Sequence, residues 1–350
     1  MGGLYQKIAN FETPPPIVAE LSGNHNQNLD TARNLIQLAA KHGASAVKLQ
    51  TYTADSLTLP SENPEFMINE GLWEGKSLHE LYQIAATPFE WHRPLADLAR
   101  SLGITLFSTP FDETAVDFLE AEIEPELYKV SSFEVTHTPL LKKIGLTGKP
   151  VIMSTGMANR GEIQEAVDSL RDNGSGPIIL LKCISQYPSS PDGFNLRSIT
   201  SLQKEFQCLA GLSDHTLGNE IALGATTLGA RIIEKHFTDG RNKGGIDSPF
   251  SIEPCELGEL VKQIETLHSS LGSSEIDTSE QEVSQKRFRR SIYVSKKVSA
   301  GQKLSKENLK VVRPANGLEP RNWERILGCQ AAKDLEANTP LKPGDWIERT

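Results

Sequence analysis

Residues 209–214 (LAGLSD) and 230–237 (ARIIEKHF) decide how this chain folds. Each is a short apolar run that turns polar at its far end, where His215 and His236 stand. Neither alternates apolar with polar through its apolar part. That is the pattern of a parallel strand buried on both faces, not of a half-solvated antiparallel one. Working outward, six more runs share it: 16–20 (PIVAE), 45–50 (SAVKLQ), 104–110 (ITLFSTP), 127–132 (LYKVSS), 150–155 (PVIMST) and 177–183 (PIILLKC). Most begin 23 to 31 residues apart, room for a strand, a helix and two short loops, but 59 residues separate the second start from the third. Between the runs, 30–42 (DTARNLIQLAAKH) reads as a helix with an acidic start and Gly43 as its stop; 89–101 and 160–170 read likewise. Eight βα units close most simply into a (β/α)₈ TIM barrel, with an open doubly wound sheet as the alternative.

The barrel is expected over residues 1–270, followed by a polar linker at 271–288. A small β-rich domain over 289–350 then carries strands at 291–294 and 309–312 and turns at Pro340 and Pro343-Gly344. The chain has 350 residues, 38% hydrophobic and 23% charged, which is ordinary globular composition. Its net charge of −9 argues against a nucleic-acid partner, although an acidic protein can still hold a local basic pocket for an anion. The four cysteines form no CxxC pair and read as reduced thiols. No run approaches the ~20 apolar residues of a membrane span, and the N-terminus lacks a secretory leader pattern, so a cytoplasmic, membrane-free protein is expected.

Every run ends in polar residues, and in a barrel those ends share one rim, where active sites lie. His215 and His236 end consecutive strands, which sit ~4.8 Å apart, so their imidazoles can converge on a divalent ion; hydrogen-bonded structural histidines are the alternative. Lys48, Lys129 and Lys182 lie inside apolar strands, a costly place for a cation unless it meets an anion. Aimed at one rim they suit a phosphate or carboxylate, with Ser108, Thr109, Ser132 and Ser154 as neutral donors. Ion pairs with Glu20 or Glu134, or a Schiff-base lysine acting on pyruvate, are the competing readings. Glu20 and Glu134 are candidate acid/base groups, Asp247 sits in a Gly-rich loop after the eighth strand, and His25 is either a ligand or a loop residue. The long connection at 51–87 is placed to cover a substrate.

These motifs resemble the sialic acid synthase family, a phosphoenolpyruvate-condensing barrel fused to an antifreeze-protein-like (SAF) domain. Its carriers are Ala19-Glu20-Leu21-Ser22, Val47-Lys48-Leu49-Gln50-Thr51, Phe107-Ser108-Thr109-Pro110-Phe111, Gly211-Leu212-Ser213-Asp214-His215 and Ile233-Glu234-Lys235-His236-Phe237. Gly71-Leu72-Trp73, residues 87–92 (TPFEWH) and Ser132-Phe133-Glu134 look most like the pseudaminate-forming branch, with N-acetylneuraminate or legionaminate synthases as the alternative. The resemblance implies metal-dependent condensation of phosphoenolpyruvate with an open-chain amino sugar. His215 and His236 would be the ligands of Mn²⁺, or of Mg²⁺ or Co²⁺, and Glu20 would hold a metal-bound water. Lys48, Thr109, Lys129, Ser132 and Ser154 fall where the family binds phosphoenolpyruvate. Ser185 falls at a phosphate contact, where neuraminate-forming enzymes often carry Asn. Gln50, Glu134, Tyr187, Ser213 and Asp247 fall near the sugar, and Glu134 is a proton-transfer candidate. Arg313 matches an arginine that the small domain inserts into the partner's barrel, which implies a domain-swapped homodimer.

Overall fold

Eight short parallel strands form the first unit's central sheet: β1 Ile17–Glu20, β2 Ala46–Thr51, β3 Thr105–Pro110, β4 Tyr128–Val130, β5 Val151–Ser154, β6 Ile178–Lys182, β7 Leu209–Asp214 and β8 Ile233–His236. In this computed structural model, which describes residues 3–276 and 278–348, hydrogen bonding runs in the order β3-β2-β1-β8-β7-β6-β5-β4. β3 and β4 adjoin and bring the sheet round into a near-closed barrel. Each strand falls within, or one residue beyond, an apolar run of the sequence. The register decides which side chains meet. Glu20 lies abreast of Lys48 on one side and of His236 on the other, and Ser213 is abreast of Glu234.

Helices wrap the strands because each carries one apolar stripe. Helix Leu29–Lys41 buries Ala32, Leu35, Ile36 and Ala39 against the sheet, and the Asn28 side chain caps it by accepting from the Thr31 N–H. The helix read over 89–101 opens as a 3₁₀ turn, Phe89–Trp91, before the α-helix His92–Ser101; the tighter turn uses first-turn N–H groups that an α-helix leaves unpaired.

A short helix, Leu4–Ala9, plugs the bottom of the barrel. Leu4 and Ile8 pack with Val18, Phe107, Ile152 and Ile179, all essentially inaccessible to water. Glu126 accepts from the Leu4 and Tyr5 N–H groups, while Arg231 donates to the carbonyls of Ile8, Asn10 and Thr13. Among the described residues the lumen is therefore closed below and opens at the C-terminal ends of the strands.

The connection between β2 and β3 holds helix Leu78–Ala85, started by a reciprocal Ser77–Glu80 capping box. Both roots of this insertion are pinned outside the lumen by buried histidines. His92 Nε2 meets the Thr51 hydroxyl at 2.8 Å, and His25 Nε2 meets the Thr87 hydroxyl at 3.2 Å.

The second unit starts at Ser273 and contains β9 Ser291–Val294, β10 Leu309–Val312, β11 Gln330–Ala331, β12 Thr339–Pro340 and β13 Trp346–Ile347. β9 sits between β10 and β12, β11 pairs with β13, and Ile292, Val294, Leu309, Ile326 and Leu341 form a separate core. Among the described residues no helix is long and apolar enough to cross a membrane.

Candidate active site

Two residues above the apolar plug, the barrel lumen changes character. The side chains that alternate inward are now Glu20, Lys48, Thr109, Lys129, Ser154 and Glu234, and they floor a cavity of about 690 Å³. Lys48 is ion-paired with Glu20 and donates to the Thr109 hydroxyl at 3.1 Å. Lys129 donates to the Ser154 hydroxyl at 2.7 Å and to the Val130 carbonyl at 3.1 Å. Glu234 lies between the two ammonium groups, 4.0 Å from Lys48 and 3.9 Å from Lys129, and accepts from Ser213 at 3.2 Å. All are buried, so each cation is held by a carboxylate or a short donor contact rather than by water.

The charges tune one another. Burial raises the Glu20 carboxyl to about 7 against the pull of Lys48. Burial works against the Lys48 ammonium, but Glu20 and Glu234 more than offset it and raise its pKa. Lys129 is pushed down, mainly by burial. Glu234 would be raised by burial, yet Lys129 and Lys48 hold it below the usual carboxylate range. Higher up, burial raises the carboxyls of Glu134 and Asp247.

The two histidines complete the mouth. Their ring centroids are 5.2 Å apart, and Tyr187 lies 4.4 Å from His215 and 6.0 Å from His236. His215 Nδ1 is 2.8 Å from the Ile184 carbonyl, which can only accept, so Nδ1 carries a proton, and in the neutral ring the lone pair is on Nε2. Burial, reinforced by His215 and by Lys48, Lys129 and Lys235, holds His236 well below its ordinary pKa, and its buried Nδ1 has no hydrogen-bond partner among the described residues. One ring oriented through a carbonyl and one with an orphaned nitrogen fit a metal-binding pair. Among the described residues no group of three or more His, Cys, Asp or Glu side chains forms a metal cluster, so an ion here would draw its remaining ligands from water or substrate.

Other expected residues converge on the same cavity. Gln50 donates to Glu20 and to Ser22, both at 3.0 Å; Ser132, Glu134, Ser185, Tyr187 and Asp247 line the walls. Glu134 Oε2 and Ser185 Oγ are buried without a hydrogen-bond partner among the described residues. Gly156, with φ +32°, opens the wall here: a Cβ would come within 2.4 Å of the Ser132 Cβ and 2.5 Å of Ser185 Oγ.

Two expectations are corrected, for Ser108 and Lys182, and the open reading of His25 is decided in favour of a loop residue. Ser108 faces out of the lumen and bonds Thr51 at 2.6 Å, because Thr109 is the inward residue of that strand. Lys182 also points away from the cavity, with its ammonium 5.9 Å from the centroid of the Phe194 ring. His25 is no ligand; its ring bonds Thr87 and accepts from the Gln27 N–H at 3.2 Å. Arg313 lies exposed in the second unit, with no hydrogen bond or ion pair among the described residues. Glu234 and Cys183 escaped the sequence reading. Glu234 was legible as the inward neighbour of His236 two positions on; Cys183 was read only as a reduced thiol. Burial alone would raise that thiol, but a hydrogen bond and charge from His215 carry it below its ordinary value.

The chain is similar to proteins of known kind along nearly its whole length. It is 42% identical to a pseudaminic acid synthase of Helicobacter pylori, covering 96% of this chain and 99% of that one. Against an N,N'-diacetyllegionaminic acid synthase of Campylobacter jejuni the identity is 37%, over 93% of this chain and 98% of the other. A crystal structure of an N-acetylneuraminic acid (sialic acid) synthetase from Leptospira borgpetersenii, with citrate, superposes with a TM-score of 0.70 at 33% identity, covering 78% of this chain and 90% of that chain. The NeuB family profile matches residues 35–276 and the SAF domain profile residues 289–345. With a charged barrel mouth of this construction and these matches, the chain belongs to the NeuB family and carries a SAF domain C-terminal to its barrel in the sequence.

Proposed function

We propose that this chain joins phosphoenolpyruvate to 2,4-diacetamido-2,4,6-trideoxy-altrose, releasing pseudaminate and phosphate. The observation that carries this reading is the pair of buried ammonium groups, Lys48 and Lys129, beside two imidazoles in one cavity closed at its floor. The higher identity to pseudaminic acid synthases than to the legionaminic acid enzyme selects the sugar.

Lys48 and Lys129 neutralise the phosphate and carboxylate of phosphoenolpyruvate in a site too dry to do so with water. Thr109, Ser132, Ser154 and Ser185 offer hydroxyl donors around it, and the missing Cβ of Gly156 leaves room for close approach. Gln50, Glu134, Tyr187, Ser213 and Asp247 orient the sugar so that its aldehyde carbon faces C3 of phosphoenolpyruvate. His215 and His236 would hold a divalent ion, Mn²⁺ in the first place and Mg²⁺ or Co²⁺ in its stead, which would supply Lewis-acid activation of the aldehyde. C3 attacks the aldehyde, water adds at C2, and phosphate leaves with its bridging oxygen. Glu20, ionising near neutrality, and Glu134 are the two groups placed to move the protons. The active form is a domain-swapped homodimer in which Arg313 of each small domain acts in the partner's site.

The test is a panel of the altrose derivative, its legionaminate-forming counterpart and N-acetylmannosamine, each with phosphoenolpyruvate. Phosphate release and product mass are followed with and without EDTA. Release with the altrose derivative, abolished by EDTA, is expected. No release with that sugar, alongside turnover of another, would move the assignment to the other product.

A further inference from the structure

The cavity has two unlike halves. One is the charged rim of the barrel. The other comes from the insertion at 51–87 and is mainly apolar: Leu57, Ile68, Leu78, Leu81 and Ala85 line it, beside Tyr52, Glu70 and Tyr82. Leu78, Leu81 and Ala85 fall on one face of the capped helix, spaced by three and then four residues. Trp73 adds its ring, and its indole N–H is already donated to the Ile246 carbonyl at 3.1 Å, so it has no donor to spare. A ligand that reaches Leu57, Ile68, Leu78 and Leu81 meets hydrocarbon, and the polar groups that the insertion adds to the lining are the hydroxyls of Tyr52 and Tyr82 and the Glu70 carboxylate.

We propose that Leu57, Ile68, Leu78 and Leu81 form the subsite for a deoxygenated, methyl-terminated carbon at the far end of the sugar, and so select a 6-deoxy sugar over its 6-hydroxy counterpart. The inference rests on the condensation reading above. The aldehyde end must lie between the lysines and the imidazoles at the lumen, so the opposite end of an open six-carbon chain extends away from them, towards the insertion. The acetamido groups bring N–H and C=O groups that need polar partners, which Gln50, Glu134 and Asp247 supply on the rim. The C6 methyl is the one part of the molecule that asks for no hydrogen bond. An apolar pocket rejects an added hydroxyl by about 10²-fold.

The experiment compares kcat/KM for 2,4-diacetamido-2,4,6-trideoxy-altrose and for the same sugar with a 6-hydroxyl. The holoenzyme is used, in the natural chain and in Ile68→Asn, Leu78→Asn and Tyr82→Phe. The natural enzyme should favour the 6-deoxy sugar by about 10²-fold. Ile68→Asn and Leu78→Asn, both half-buried and tolerant of a polar side chain, should cut that preference at least tenfold, mostly through KM, with an unchanged melting temperature. Tyr82 also lines the cavity and could bond a hydroxyl. A preference that survives in both Asn variants, or that moves only in Tyr82→Phe, overturns the proposal. If neither altrose sugar turns over but N-acetylmannosamine does, the function reading fails, and the same variants are scored on N-acetylmannosamine and its 6-deoxy form. Turnover of none of the four sugars overturns both readings.

Discussion

The lower and upper halves of the barrel lumen are built by the same eight strands and differ by two residues of chain. Below, Val18, Phe107, Ile152 and Ile179 close on the Leu4–Ala9 plug; above, Glu20, Lys48, Thr109, Lys129 and Glu234 floor the cavity. The plug denies water a path from beneath, so the charges above it rest on hydrocarbon and interact far more strongly than they would in solution. Within the lumen, apolar burial lies in the lower layer and the charged, candidate binding groups in the upper.

Mutation should separate the two layers. Phe107→Ala removes a fully buried ring and should cost about 3–5 kcal/mol of stability, read from denaturant unfolding, with near-normal turnover per folded molecule at low temperature. Lys48→Met should do the reverse. It should lower kcat/KM for phosphoenolpyruvate about 10²–10³-fold while the chain remains folded by circular dichroism. Equal losses of stability and turnover in both variants would mean the layers are not divided in this way.

Acid should act at the insertion roots before it unravels the plug. Burial holds His25 and His92 at about 4, so between pH 6.5 and 4 the unfolded chain takes up protons that the native chain refuses. Stability therefore falls as pH drops through that window, by about 3 kcal/mol for each ring. Glu20, raised to about 7, opposes this, as do Glu134 and Asp247, because the fold prefers their protonated forms, while the lowered His236 adds to it; the share of His92 is therefore read as the difference between the natural chain and a variant lacking that ring. Melting temperatures from pH 7 to pH 4 should fall less in His92→Gln than in the natural chain. A curve equally steep in that variant would remove the histidines from the explanation.

The mildest change is Ser154→Ala. It deletes the hydroxyl 2.7 Å from Lys129 and should raise KM for phosphoenolpyruvate about three- to tenfold, the net value of one such bond, with little effect on kcat. A fall in kcat alone would place Ser154 at the transition state rather than on the bound substrate.

The barrel was legible because a parallel strand buried on both faces has to be a run of apolar residues, and eight such runs left few ways to close. The polar rim was legible for the same reason: Glu20, Lys48, Lys129, His215 and His236 interrupt hydrocarbon. What a run of apolar residues hides is which neighbour points inward. Ser108 and Thr109 read alike, yet only Thr109 reaches the cavity, and Glu234 and His236 share a face from which Lys235 is turned away into an ion pair with Asp214. Lys182 looked equivalent to Lys48 and Lys129, but its position on β6 faces the opposite way, against Phe194. The aliphatic wall of the insertion carried no periodic signal across its irregular turns, so the identity of Leu57 and Ile68 as lining residues came only with the coordinates.

If His215 and His236 hold one divalent ion, as proposed, the metal-free chain should take it up in the absence of any substrate. Equilibrium dialysis of the metal-free chain against Mn²⁺, with metal counted by mass spectrometry, tests it without reference to turnover. One ion per natural chain, lost in both His215→Ala and His236→Ala while the melting temperature of the metal-free protein stays put, is the predicted result. Undiminished binding in the chain lacking both imidazoles would contradict it.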